Sequence, residues 1–255
     1  MCTVVREPEM IIDSHTHVDR FGWYDPPETI IRLMDEAGVD KSIIMTYVDA
    51  PDVKGSIEYI AEAVQKYHNR LIGYARMNPR RGEEAQQLFR KAIEEYGFKG
   101  LKLHPAGNRC HPARQETIDM IRMAAGYNAP VLFHCGDEEF TLPLQVAEAA
   151  HACPEATIIL GHCGGYFHTK DAIRAAERYP NIILETSGMP YPRVIKDAVE
   201  RVGASRILYA SDGPGCDPTI EIHKVKLARL KPEDQDAIFR QNIQSILDDV
   251  AVRRD

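Results

Sequence analysis

The chain has 255 residues, 44% of them hydrophobic and 27% charged, and 38 acidic against 31 basic side chains leave a formal charge of −7 at pH 7. That balance suits a folded, enzyme-sized unit and excludes disordered and fibrous classes, and the whole of residues 1–255 is expected to form one domain. No basic face for nucleic acid and no apolar run of the roughly 18 residues that span a bilayer is present, and residues 1–10 lack a leader-like apolar stretch, so a cytoplasmic protein without nucleic-acid or membrane partners is expected.

Short runs rich in Ile, Leu and Val recur eight times, at 10–17, 42–48, 71–77, 100–104, 130–135, 157–163, 181–187 and 206–212. Several, such as SIIMTYV and TIILGHC, are almost uniformly apolar, as parallel strands covered by helices are. The segments between them carry apolar residues at helical spacing. Pro26 and Pro27 open the first helix, Ile30, Leu33, Met34 and Ala37 line one face, and Gly38 ends it. Ser56 is expected to cap the second helix, and Thr141 and Thr169 those after the fifth and sixth strands. Val194, Ile195, Ala198, Val199 and Val202 mark the helix after the seventh strand, while Pro218 and Pro232 open two final helices.

Eight strand–helix units without a long linker predict an α/β fold, a single (β/α)8 TIM barrel with an extra C-terminal helix. An open doubly wound sheet would need fewer strands or a domain break, and neither a linker-like stretch nor a Gly-rich dinucleotide loop is found. The six cysteines form no CxxC pair and read as reduced thiols, with Cys135 and Cys163 packed under helices.

Histidine carries the chemical signal. Five of the ten lie at predicted strand ends. His15 and His17, two apart in DSHTH, project to one face of the first strand. A closed barrel sets the eighth strand, ending in Asp212, beside the first, and His134 and His162 face them from the opposite wall. Three imidazoles and one carboxylate in one mouth suit a borderline divalent metal such as zinc. As a pair alone, His15 and His17 serve equally well as strand-end residues bonded to loops; the constellation is what points to a metal.

DSHTH, GLKLHP, FHCG, LGHCGG and YASDGP stand in the order found in the amidohydrolase superfamily, and over nearly its whole length the chain resembles the amidohydrolase-related group of metal-dependent hydrolases and decarboxylases. The resemblance implies one catalytic metal, commonly zinc, on His15, His17, His134 and Asp212. It also implies that His162 faces substrate and that Asp212 doubles as a proton acceptor. Asn242 resembles the group's late asparagine and is read as structural.

Hydrolysis is the first expectation: a metal-activated water attacks an amide, ester or lactone carbonyl of a small anionic substrate, with Asp212 and His162 catalytic. A metal-dependent non-oxidative decarboxylase on the same site is the alternative. A TatD-like nuclease would need a glutamate where the fourth strand has GLKLHP, and a non-catalytic barrel would be expected to have lost a ligand. Lys102 is read as an ion pair inside the barrel, with Asp13 as partner, rather than as a carboxylated bridge between two metals. His104, Arg76, Arg109, Trp23 and Glu185 are the expected substrate-binding residues, with Arg20, Tyr24, Tyr47 and Tyr191 also near the mouth. Each has an ordinary alternative as a loop salt bridge or packed aromatic. The partner is a small molecule; a homo-oligomer is a family-based expectation only.

Overall fold

Each of the eight apolar runs is a strand in the computed structural model, which describes residues 10–19, 26–47, 52–136 and 138–251. The strands are β1 (Ile12–Val18), β2 (Lys41–Thr46), β3 (Leu71–Arg76), β4 (Gly100–Leu103), β5 (Val131–Phe133), β6 (Ile158–Leu160), β7 (Ile182–Glu185) and β8 (Ile207–Leu208). They form one parallel sheet in sequential order. The chain after β8 closes it onto β1. Tyr209 O accepts from Ser14 N (3.2 Å), Asp212 N donates to His15 O (2.8 Å) and Gly213 O accepts from His17 N (2.7 Å). The (β/α)8 TIM barrel is the fold.

The helices are α1 (Pro27–Ala37), α2 (Val53–Lys66), α3 (Glu83–Glu94), the short α4 (Pro105–Asn108), α5 (Gln115–Ala125), α6 (Pro143–Ala152), α7 (Thr169–Arg178), α8 (Pro192–Val202), α9 (Pro218–Leu227), α10 (Pro232–Asp236) and α11 (Asn242–Asp248). Pro27 opens α1 and Gly38 closes it with φ of 73°, a left-handed conformation that costs glycine nothing. Three expected caps move. Asp52, not Ser56, caps α2 by accepting from Gly55 N. Thr141 binds back to Glu138 and leaves the α6 cap position to Leu142, and Thr169 is the first residue of α7, after His168. Only Asp52 makes a side-chain cap bond; Leu142 and His168 occupy their cap positions without one.

Strand alternation divides the apolar residues into two cores. Ile44, Leu101, Leu103, Val131, Phe133, Leu160 and Leu184 face the helices, where Cys135 and Cys163 are also buried. Ile12, Ile43, Met45, Tyr74, Leu132, Ile159 and Leu208 fill the barrel interior, and Ile243 and Leu247 of α11 plug its lower end. Burying side chains of this size contributes about 1.5–3 kcal/mol each. The extra C-terminal helix is α10 and α11 joined by a π-helical turn, Ala237–Gln241, inside which Ile238 O accepts from Tyr209 N (2.9 Å). Asn242 Nδ2 donates to Ala204 O and Ile207 O, both at 2.8 Å, and so ties the plug to β8.

With the lower half of the barrel filled, the polar inward residues collect at the upper, C-terminal end of the strands. Inward positions run Ile72, Tyr74, Arg76 on β3, Lys102 and His104 at the end of β4, Ile183 and Glu185 on β7, and Leu208 on β8 with Ala210 and Asp212 after it. No helix among the described residues is long and apolar enough to cross a membrane.

Candidate metal centre

His15 and His17 reach the mouth because β1 is irregular. Its register with β2 shifts between Asp13 and Thr16, so Ile12 lies in the interior core and His15, three residues later, also faces inward. Their Nε2 atoms stand 3.0 Å apart. Asp212 Oδ1 lies 3.1 Å from His17 Nε2 and 3.5 Å from His15 Nε2. Asp212 sits at φ of 63°, a left-handed conformation that aspartate tolerates better than most residues, at a position where the chain turns out of the barrel.

The far nitrogens of both rings face acceptors. His17 Nδ1 is 3.3 Å from the Thr46 carbonyl, and His15 Nδ1 is 3.2 Å from Glu185 Oε1. A carbonyl and a carboxylate only accept, so each ring carries its hydrogen on Nδ1 and turns the Nε2 lone pair inward. Two lone pairs and a carboxylate oxygen then converge within 3.5 Å. Donors sharing one ion at about 2.1 Å are about 3.0–3.4 Å apart, so the set fits a divalent cation.

Electrostatics agree. Burial, reinforced by the Lys102 charge, holds His15 well below the ordinary imidazole range, and burial likewise lowers His17. Burial also lowers His134 well below it, and pushes His104 down to about 3 with help from Arg76. Neutral rings are the form a cation needs. Burial works to raise Asp212, but the neighbouring His15, His17 and His162 outweigh it and hold the carboxyl well below its usual range.

Other expected site residues fall around this trio. His134 does not join it; its Nδ1 lies 3.1 Å from His162 Nε2 and its ring stacks on His104 at 4.0 Å. His162, at φ of 60°, is 5.3 Å from the His15 ring. Arg76 is buried and donates to Tyr47 O, while His104 Nδ1 accepts from Gly107 N (3.1 Å) and keeps Nε2 as its donor. Arg109 is exposed on the same end of the barrel, closing α4 at φ of 49°. Trp23, with Arg20 and Tyr24, lies outside the described residues.

Two expectations are corrected. Glu185 does not line the substrate mouth: it is fully buried, and both oxygens are taken up by His162 N (2.5 Å), Ser187 N (2.8 Å), Ser187 Oγ (2.8 Å) and His15 Nδ1. Lys102 is not aimed at Asp13, whose Oδ1 accepts from Ser211 N and His15 N; Lys102 Nζ lies 2.8 Å from His15 Nε2. Burial lowers Lys102 to about 7 against the opposing pull of Asp212, and raises Asp13 to about 7. Sequence reasoning missed Ser187, whose inward position follows from Glu185 two residues earlier, and Thr46, whose role is carried by a backbone carbonyl and leaves no trace in residue type.

A family model described as Amidohydrolase matches residues 12–248. The chain belongs to this amidohydrolase family. A gamma-resorcylate decarboxylase from Polaromonas sp. is 23% identical, over 81% of this chain and 84% of its own. The fold is shared with a dihydroxybenzoic acid decarboxylase of Polaromonas sp. JS666, solved with manganese and 2-nitroresorcinol (TM-score 0.74, 18% identity, 94% and 97% of the two chains). It is shared too with a 5-carboxyvanillate decarboxylase of Novosphingobium aromaticivorans complexed with manganese and a hydroxy-methoxy-nitrobenzoic acid (TM-score 0.75, 15% identity, 94% and 96%). Each bears on this member of the family through its fold.

Proposed function

We propose that this protein is a metal-dependent, non-oxidative decarboxylase of a small hydroxylated aromatic acid. The observation that carries the reading is the gamma-resorcylate decarboxylase that aligns with most of both chains. Hydrolysis, the first expectation from the sequence, gives way to what was the alternative. Manganese in the dihydroxybenzoate and carboxyvanillate enzymes likewise favours Mn²⁺ over zinc here.

His15, His17 and Asp212 would hold the ion; His134 stands beside this trio, with Nδ1 on His162 and Nε2 3.9 Å from Glu138 Oε2, and would reach the ion only by turning toward it. When bound, the ion supplies positive charge that orients the substrate's oxygens and stabilises charge developing on them. Arg76, Lys102 and the Nε2–H of His104 form a donor-rich inner wall suited to a carboxylate. Asp212 has the most exposed side chain of the trio, at 22%, and begins ionised. It takes a proton from a substrate hydroxyl and delivers it to the ring carbon that bears the carboxylate. The C–H bond forms there, the C–C bond breaks, and CO₂ leaves with no net oxidation. The phenolate that remains regains its proton from solvent. His162 faces the same space and hydrogen-bonds the substrate's oxygens.

Product analysis tests the reading. Mn²⁺-loaded protein is incubated with a panel of 2-hydroxybenzoic acids and, separately, with aryl esters and lactones. Loss of the carboxyl group from one or more acids is expected. Turnover of esters or lactones alone would return the site to hydrolysis.

A further inference from the structure

We propose that Glu185 is the positioning residue of this centre: along two hydrogen-bonded branches, its single carboxylate fixes which nitrogen bears the proton in His15, His162 and His134. The inference rests on the metal reading above for its affinity readout alone.

Four donors converge on Glu185, and two of them, the backbone N–H groups of His162 and Ser187, can do nothing but donate. Each oxygen therefore accepts a backbone hydrogen, Oε1 from His162 N and Oε2 from Ser187 N. The first branch is direct. His15 Nδ1–H donates to Oε1, which leaves Nε2 bare beside Asp212 Oδ1. Lys102 Nζ, 2.8 Å from that Nε2, is placed to donate to it, which fits the same assignment.

The second branch runs through Ser187. Its hydroxyl hydrogen is directed at Glu185 Oε1 at 2.8 Å, and a hydroxyl has only one. Ser187 Oγ therefore accepts from His162 Nδ1, 2.9 Å away. With its one hydrogen on Nδ1, the His162 ring has a bare Nε2, so the 3.1 Å contact with His134 Nδ1 takes its hydrogen from His134. His134 in turn exposes a bare Nε2. One buried carboxylate thus sets the tautomer of rings on two walls of the mouth, the bare His134 Nε2 lying 3.9 Å from Glu138 Oε2.

Backbone geometry supports the relay. The left-handed conformation of His162 brings both its N–H and its ring to the Glu185–Ser187 side of the barrel. Gly161, just before it, has no room for a side chain: a Cβ would come within 2.6 Å of Phe133 O and 3.3 Å of Glu185 Oε1.

The test reads tautomers in the metal-free, full-length protein, by long-range ¹H–¹⁵N NMR of the imidazoles at about pH 8, above the ordinary imidazole value of ~6.5. In the wild type His15, His162 and His134 are expected in the Nδ1–H form. Ser187→Ala releases His162 and His134 to the Nε2–H form and leaves His15 unchanged, and Ser187→Thr restores the wild-type pattern. Glu185→Gln keeps the shape, removes the charge behind His15 and lowers Mn²⁺ affinity about 10–100-fold, whereas Ser187→Ala, which leaves His15 in place and turns only His162 and His134, lowers it by less than about tenfold. An Nε2–H form of His15 or His162 in the wild type, or a Ser187→Ala protein with unchanged His162, would overturn the proposal. So would Mn²⁺ binding as tight in Glu185→Gln as in wild type. A wild type that takes up no Mn²⁺ would fail the metal reading, and the Ser187 tautomers would still decide the role of Glu185.

Discussion

Lys102 Nζ and His15 Nε2 face each other at 2.8 Å, so the nitrogen expected to bind a cation already accepts from an amine. A cation arriving at the trio must displace that bond. Lys102→Met, which keeps the stem and removes the donor, is expected to bind Mn²⁺ about tenfold more tightly, the worth of one charge-assisted hydrogen bond. The same variant is expected to raise KM for an acid substrate, since it strips a cation from the inner wall. Calorimetric titration of the metal-free protein and steady-state kinetics check the two effects.

The converging donors predict a hierarchy among metal-site variants. His15→Ala, His17→Ala and Asp212→Ala are each expected to bring metal content below about 0.1 ion per chain, whereas His134→Ala retains metal at affinity reduced about 10–100-fold. Chelation is expected to abolish wild-type turnover and added Mn²⁺ to restore it. Elemental analysis after desalting provides the measurement.

Asn242 clamps the C-terminal plug to β8 through two carbonyls, Ala204 O and Ile207 O. Asn242→Ala removes both bonds in a half-buried place, leaving Ala204 O with the Ile207 N–H alone, and is expected to cost about 1–3 kcal/mol of stability, read as a shifted urea midpoint. The effect falls on stability because the clamp lies at the opposite end of the barrel from the histidines.

Glu221 and Lys224 form a buried ion pair on α9, and Lys224 Nζ also donates to Thr186 O at 2.6 Å. Burial pushes the Glu221 carboxyl up from 4.5 to about 7, against the attraction of Lys224. Between these values the folded protein keeps a proton that the unfolded chain has released, so this group's contribution to stability falls as pH rises through the window. The change is on the order of 3 kcal/mol at most. Glu221→Gln is expected to flatten that part of the stability–pH curve relative to wild type, as measured by urea unfolding at a series of pH values.

Much of this arrangement is legible in the residues. Period-two alternation and eight apolar runs give the barrel, and closure of its last strand on its first puts Asp212 beside His15 and His17. What alternation does not reveal is where it breaks. The register shift in β1 and the left-handed His162 decide which side chains enter the mouth, and neither follows from residue type. Glu185 illustrates the second limit. A carboxylate at an inward strand end looks like a substrate contact until its four donors are seen, two of them backbone groups that any residue would supply. The partner of Lys102 was misread for the same reason, because Ser211 N and His15 N already satisfy Asp13.

The central claim, decarboxylation at the His15–His17–Asp212 centre, is tested most directly with carboxyl-¹³C-labelled 2,6-dihydroxybenzoate and Mn²⁺-loaded protein, followed by ¹³C NMR. The account predicts that labelled CO₂ and bicarbonate accumulate with the wild type, and that Asp212→Asn and His17→Ala lose this release by at least about 10³-fold. Release of label that persists in Asp212→Asn, or none from this acid and its hydroxybenzoate analogues while an ester or lactone is hydrolysed, would contradict it.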